Sequence, residues 1–250
     1  MQREIHRWWS PRLEKDMEIV AYGHYGFALL LFPTAAADFL EYERFHLIDA
    51  IAPHIERGRC KVYSINSINR ESWLNDHMPP RHKAIRHQQY NGYVTEEVVP
   101  FIHDHCRGLV PIVTAGASLG ALHAVNQLFR RPDLFAGTIG MSGSYDLKHY
   151  TKGYWDEDVY FNSPVDYVAN LEDERVLEQL RRKRIILATG QGSYENPGAS
   201  QHFSWILHTK GIPHELDLWG HDVPHDWPTW RRMLPYFLEK LSFEALAAAF

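Results

Sequence analysis

Cysteine is scarce in this chain, with only Cys60 and Cys106 among 250 residues. Two isolated thiols build neither a disulfide framework nor a cysteine-based metal site. Reduced thiols in a cytoplasmic protein are the simplest expectation. Charge of one sign is also missing in bulk. The 26 Lys and Arg residues are interleaved with 31 Asp and Glu, and the formal net charge is −5. The most basic run, RRKR at Arg181 to Arg184, reads as a solvated helix end before a strand. Without a basic block, neither nucleic acid nor an anionic membrane surface is an expected partner. Long apolar runs are lacking too. The longest, YGFALLLFPTAAADFL, contains Pro33 and is too short for a bilayer span. The opening residues carry charge from Arg3 onward, so no signal peptide is expected. There is no repeat, low-complexity tract or linker, and residues 1–250 are expected to form one domain.

What is present is an alternation of apolar strands and helical patterns. EIHRWWS and MEIVAYG are rich in β-branched and aromatic residues and are separated by Ser10-Pro11, which reads as two paired strands. FALLLFP is wholly apolar, as a strand buried on both faces should be. The pattern then predicts a helix over about 39–57, strand CKVYSIN, and a helix over about 95–105 capped by Thr95. Strand VPIVTAG, a helix over 119–129, and strands FAGTIGMSG and RIILATG follow. A helix over 200–210, strand HELDLWG and a helix over 227–241 complete the series. This order predicts a mostly parallel sheet with helices on both faces, antiparallel strands at its N-terminal edge and no large cap domain. A homodimer paired through that edge is compatible with it. Ligands in such sheets bind beyond the carboxyl ends of the strands, so residues just after strands carry the interest.

Gly116-Ala117-Ser118-Leu119-Gly120 has the G-x-S-x-G spacing of a nucleophile elbow, and it lies where an elbow must, between a buried strand and a helix. The turn forces strained backbone on the serine and projects Oγ above the sheet, so its flanks must be small. It also puts the Leu119 N–H in the first helical turn, where unpaired amides favour developing negative charge. A serine hydroxyl needs a base, and the base needs an orienting acid. His225, at the start of the final helix with Pro228 in its first turn, is the preferred base, and His221 is the alternative. The pair also has i, i+4 spacing, but Pro224 interrupts any helix between them and no third ligand is near, so no metal is expected. The loop after RIILATG contains one carboxylate, Glu195, which gives the chain order serine, acid, histidine. Asp146 is the runner-up acid and Asp222 a weaker one. A second oxyanion donor should come from the small-residue loop after FALLLF, through the amide of Thr34 or Ala35, since Pro33 has no N–H to give. Aromatic residues between Tyr145 and Tyr167, together with Trp73, are candidate pocket walls, although packing over the sheet is the commoner role for such rings.

The segments GASLGALHAVNQLFRRPDLFAGTIGMSGSYDL and GHDVPHDWPTWRRMLPYFL resemble the putative-esterase branch of the α/β-hydrolases, the group that includes esterase D and the mycolyltransferases. The resemblance spans roughly Phe27 to Leu241 and is most specific at the serine elbow with FRRPDLF and at the spacing of His225, Trp227 and Trp230. It strengthens the case for His225. It implies an α/β-hydrolase fold and a cofactor-free serine esterase acting on a small-molecule ester. The same acyl-enzyme would serve an acyltransferase. A non-catalytic binding protein on a hydrolase fold is the third reading.

Overall fold

The computed structural model describes residues 1–250. Its strands are β1 (Arg3–Ser10), β2 (Lys15–Tyr22), β3 (Phe27–Phe32), β4 (Cys60–Ile65), β5 (Ile112–Ala117), β6 (Gly137–Met141), β7 (Arg184–Thr189) and β8 (Glu215–Leu218). They form one sheet in the order β1-β2-β4-β3-β5-β6-β7-β8. β1 and β2 pair antiparallel, as do β2 and β4. β3 to β8 all run parallel. This is an α/β-hydrolase architecture, with the antiparallel N-terminal edge that the sequence predicts.

The wholly apolar strands are buried on both faces because their alternate residues serve two cores. On β3, Ala28, Leu30 and Phe32 enter one core, and Phe27, Leu29 and Leu31 enter the other. The second core is covered by α1 (Leu47–Glu56), by the last long helix (Trp227–Glu239) and by the C-terminal helix (Phe243–Ala249). The first is covered by α2 (Pro80–Tyr93), α3 (Val99–His105), α4 (Leu119–Arg130), α5 (Glu174–Arg181) and α6 (Pro197–Thr209). We label the last two helices in the chain α7 (Trp227–Glu239) and α8 (Phe243–Ala249). Strand order reverses direction between β3 and β5, and the loops that follow these two strands meet at this switch point.

Three local expectations change. Thr95 is not a helix cap. Residues 80–105 form one continuous helical run with a π-helical turn at Val94–Val98, and the Thr95 hydroxyl donates back to Asn91 O at 3.0 Å. The helix predicted over 39–57 is broken at His46, which has φ of +60°, into a short turn (Glu41–Arg44) and α1. α2 lies in a segment where no helix is expected from the sequence, whereas α5 ends at Arg181, where the RRKR run reads as a helix end. The residues α2 buries include Lys83, His87 and Asn91, so its buried stripe is largely polar.

Candidate active site

The turn after β5 sets the geometry. Ser118 has φ of +56° and ψ of −124°, outside the regions open to ordinary side chains. Such a residue costs on the order of 1–3 kcal/mol and persists because its surroundings fix it. Its N–H donates to Met141 O at 2.9 Å, and its carbonyl accepts the Ala121 N–H at 3.0 Å, so the strained turn is bonded on both sides. The flanking glycines are a packing requirement. A Cβ on Gly116 would lie 2.3 Å from the Gly120 backbone, and one on Gly120 would lie 2.4 Å from Phe32 O. The second contact presses the elbow against the end of β3. Tyr42 joins the same two strand ends, donating its hydroxyl to Phe32 O and accepting the Ala117 N–H at 3.3 Å.

His225 and Glu195 come from loops that are bonded to each other. The Gly192 N–H donates to Val223 O and the His225 N–H to Ser193 O, both at 2.9 Å. Asp226 then caps α7 by accepting the Trp227 N–H at 2.7 Å. His225 Nε2 lies 3.0 Å from Ser118 Oγ, and His225 Nδ1 lies 3.1 Å from Glu195 Oε2. The imidazole is a quarter exposed, whereas the Glu195 side chain is fully buried. That carboxylate accepts from Ser142 Oγ at 2.6 Å, from the Gly190 N–H at 3.1 Å and from Thr189 Oγ1 at 3.2 Å. Burial alone would raise its pKa. The hydrogen bonds from His225 and Ser142, the charge of His225 and the Gly190 amide outweigh burial and hold Glu195 below the usual glutamate value. Glu195 is thus kept anionic beside His225. The alternatives lie elsewhere. His221 and Asp222 are exposed on the preceding turn, and Asp146 accepts the Lys148 N–H at 2.9 Å.

The loop after β3 behaves differently at its two candidate positions. The Thr34 N–H donates to Glu41 Oε2 at 2.7 Å, and its hydroxyl bonds to the same carboxylate. The Thr34 amide is therefore engaged. The carbonyls of the following residues are all held from one segment: Asn69 Nδ2 donates to Ala35 O at 2.6 Å, Arg70 Nε to Ala36 O at 2.9 Å, and Ser67 Oγ to Ala37 O at 2.8 Å. Behind Asn69 is a buried chain of polar rings. Asn69 Oδ1 is 2.9 Å from His123 Nε2, the rings of His123 and His87 are 4.8 Å apart, and Trp73 Nε1 donates to His87 Nδ1 at 2.9 Å. Burial pushes His123 down to about 4 and His87 well below the ordinary histidine value. Both are neutral at physiological pH.

A cavity of about 120 Å³ lies over these groups, lined by Ser118, Leu119, Leu122, Tyr150, Tyr194 and His225 among others. Of the aromatic residues considered from sequence, Tyr150 reaches this cavity, and Trp73 packs beneath it with Leu119 and Leu122. Tyr145 and Tyr167 are core residues, and Trp155 and Phe161 are exposed. A cavity of about 540 Å³ lies elsewhere, lined by residues such as Glu4, Lys61 and His105, and contains no part of this constellation. Sequence reasoning missed Ser142, Thr189, Asn69 and Tyr194. Trp230 carried a spacing signal but no role, and its Nε1 donates to Ser142 Oγ at 3.0 Å. Ser142 and Thr189, each at a strand's carboxyl end and followed by glycine, had a signal that could have been read.

A family model described as "Putative esterase" matches residues 66–241. No curated protein matches the sequence. Among solved structures, the chain is similar to a ferulic acid esterase at 18% identity and a TM-score of 0.77, with 98% of each chain covered. It is similar to the S-formylglutathione hydrolase FrmB of Staphylococcus aureus at 14% identity and a TM-score of 0.68, covering 96% of this chain and 98% of that one. It is also similar to MPT51 (FbpC1) of Mycobacterium tuberculosis at 14% identity and a TM-score of 0.71, over the full length of both. These likenesses show the shared fold. No helix is long and apolar enough to cross a membrane. With more than half its length matched by the family model, the chain belongs to the Putative esterase family, a serine esterase on an α/β-hydrolase fold.

Proposed function

We propose that the chain hydrolyses carboxylic esters through an acyl-enzyme on Ser118. The observation that carries this reading is the hydrogen-bonded series from Ser118 Oγ through His225 to Glu195, at 3.0 and 3.1 Å, starting from a strained serine. Ser118 Oγ attacks the ester carbonyl while His225 Nε2 takes its proton. Glu195 holds the imidazole with Nδ1–H towards itself and stabilises the imidazolium. His225 then protonates the leaving alcohol. A water attacks the acyl-enzyme with His225 again as base, and Ser118 is regenerated. The Leu119 N–H, at the first position of α4, is one oxyanion donor, because it has no partner within its own helix. The Ala35 N–H is the other, since Thr34 is committed to Glu41. Each donor is worth about a hundredfold to a thousandfold in rate.

The cavity of about 120 Å³ suits a short or flat acyl group rather than a long chain, with Tyr150 and the exposed Tyr194 at its mouth. Cys60 and Cys106 are both free, which supports a reducing cytoplasmic setting. β1 has a partner on one side only, which leaves an edge for the homodimer considered from sequence. The test is hydrolysis of p-nitrophenyl esters of increasing acyl length by wild type and Ser118→Ala, with mass detection of a phosphonate adduct. Turnover of the short esters and a single adduct, both lost in Ser118→Ala, support the reading. A folded wild type that neither turns over nor labels would overturn it.

A further inference from the structure

A second cluster of chemically able side chains lies at the opposite end of the sheet. β1 is antiparallel to β2 and β2 to β4, so β1 runs in the same sense as β3 to β8. Glu4 and His6, near its start, therefore lie towards the amino ends of the parallel strands, while Ser118 and Glu195 follow carboxyl ends. Being two residues apart, Glu4 and His6 point to the same face of β1. His105, the last residue of α3, meets them there.

The donor atoms converge. His105 Nε2 is 3.1 Å from Glu4 Oε2, and His6 Nε2 is 3.4 Å from the same oxygen. Donor atoms of all three residues lie within 4.8 Å of one another. Hydrogen bonding accounts for only part of this. His105 is well matched to Glu4, but His6 Nε2 is buried without an aligned partner. A four-coordinate zinc with bonds of about 2.0–2.1 Å sets neighbouring donors about 3.3 Å apart, close to both observed separations. The rings are also held in place. His105 stacks on Phe101 with centroids 5.4 Å apart, and His6 meets the edge of Phe101 at 5.0 Å. His105 Nδ1 is 3.0 Å from Tyr63 Oη, an outer partner of the kind that fixes a ligand imidazole's tautomer.

We propose that Glu4, His6 and His105 bind a divalent transition-metal cation of the zinc type, with water completing the coordination. The site borders solvent, with side chains 36%, 34% and 17% exposed, while His6 Nε2 itself faces inward. Glu4 and His105 also line the cavity of about 540 Å³. The bound ion joins edge strand β1 to the end of α3, tying together two elements that are remote in sequence. It takes no part in the chemistry at Ser118, which lies four strands across the sheet and at its opposite end, roughly 25–30 Å away.

The test uses tag-free, chelator-stripped full-length protein and zinc chloride, with bound metal counted after equilibrium dialysis. Wild type is expected to hold one tight equivalent and to melt several degrees higher with zinc than without. The double variant His6→Ala/His105→Ala is expected to lose that equivalent and the shift in melting. Glu4→Gln, nearly isosteric and thus safe for folding, should bind at least tenfold more weakly. Cobalt gives an independent readout, because a four-coordinate site produces an intense visible band that should be present in wild type, absent in the double variant and seen only at higher cobalt in Glu4→Gln. The proposal is overturned if folded wild type takes up no tight equivalent. It is equally overturned if the variants keep the same equivalent and the same cobalt band, since the metal would then be held elsewhere among the 16 histidines.

Discussion

Ser118 and Ser142 occupy matching positions and do different work. They follow neighbouring strands whose last residues, Ala117 and Met141, are paired in register. Both have positive φ, +56° and +53°. Each donates its N–H to a carbonyl near the end of the next strand, Ser118 to Met141 O at 2.9 Å and Ser142 to Ala188 O at 2.7 Å. The side chains have different company. Both serines line the same cavity, but Ser118 Oγ has the His225 imidazole 3.0 Å away as its side-chain partner. Ser142 is 7% exposed, and its Oγ lies between a donor, Trp230 Nε1, and an acceptor, Glu195 Oε1. Backbone strain aims a hydroxyl off the end of a strand. In the mechanism proposed above, the partners it meets there make one the nucleophile and the other a support for the acid.

The largest effect that would sharpen this contrast is at the proposed nucleophile. Ser118→Ala is expected to lower kcat by at least about 10⁴-fold while far-UV circular dichroism stays native. Glu195→Gln comes next, with up to about 10⁴-fold, because an amide presents the wrong partner to His225 Nδ1. Ser142→Ala should cost only about tenfold, since Glu195 keeps Gly190, Thr189 and His225 as donors. Steady-state hydrolysis of one ester by all three variants checks the ranking. A Ser142→Ala loss as large as that of Ser118→Ala would break the distinction between nucleophile and support.

The two serines were not equally legible in the sequence. Around Ser118 the constraint acts on backbone contacts, which admit only glycine at Gly116 and Gly120, so it is printed as a motif. Around Ser142 the constraint is a pair of side-chain bonds to residues 53 and 88 positions away, which no local pattern records. The same physics separates the elements. β3, β5 and β7 read clearly because two cores demand apolar residues at nearly every position. α2 was unreadable because its buried face includes Lys83, His87 and Asn91, whose side chains find polar partners on other segments. Thr34 and Ala35 were equivalent from sequence, and only the Glu41 side chain, folded back on Thr34, separates them.

The supports behind the two serines should also respond to acid in different windows. His123, on the helix that Ser118 opens, is pulled down to about 4 by burial. Its unfolded value lies near 6.5. Unfolding therefore takes up a proton between these values. Stability is complete above about pH 6.5 and falls as pH drops towards 4, by about 3 kcal/mol for this one group. His87, also depressed, adds to the slope in the same direction. Glu195 is shifted the other way in charge. Its contribution is complete above the unfolded carboxyl value near 4.3 and is lost only as pH falls through its lower folded value. Urea unfolding of wild type and His123→Gln across pH 4–7 separates the two. The variant should show a flatter slope above pH 4, and an unchanged slope would remove His123 from the account.

The finest test replaces each serine by glycine, which accepts positive φ without strain. At Ser118 the side chain has only the partly exposed imidazole as partner, and relief of strain should dominate. Ser118→Gly is expected to be inactive yet more stable than wild type by about 1 kcal/mol. At Ser142 the same relief occurs, but the hydroxyl removed was satisfying two buried groups. The Trp230 N–H then has no acceptor and the Glu195 carboxylate loses a donor, at a cost of about 1–3 kcal/mol for each buried polar group left short. Ser142→Gly is therefore expected to be less stable than wild type, so the same substitution on the same backbone conformation should change sign between neighbouring strands. Chemical denaturation of the two variants decides it. Stabilisation in both would mean that the Ser142 bonds contribute less than the strain they hold, and that Glu195 is held by the Gly190, Thr189 and His225 donors alone.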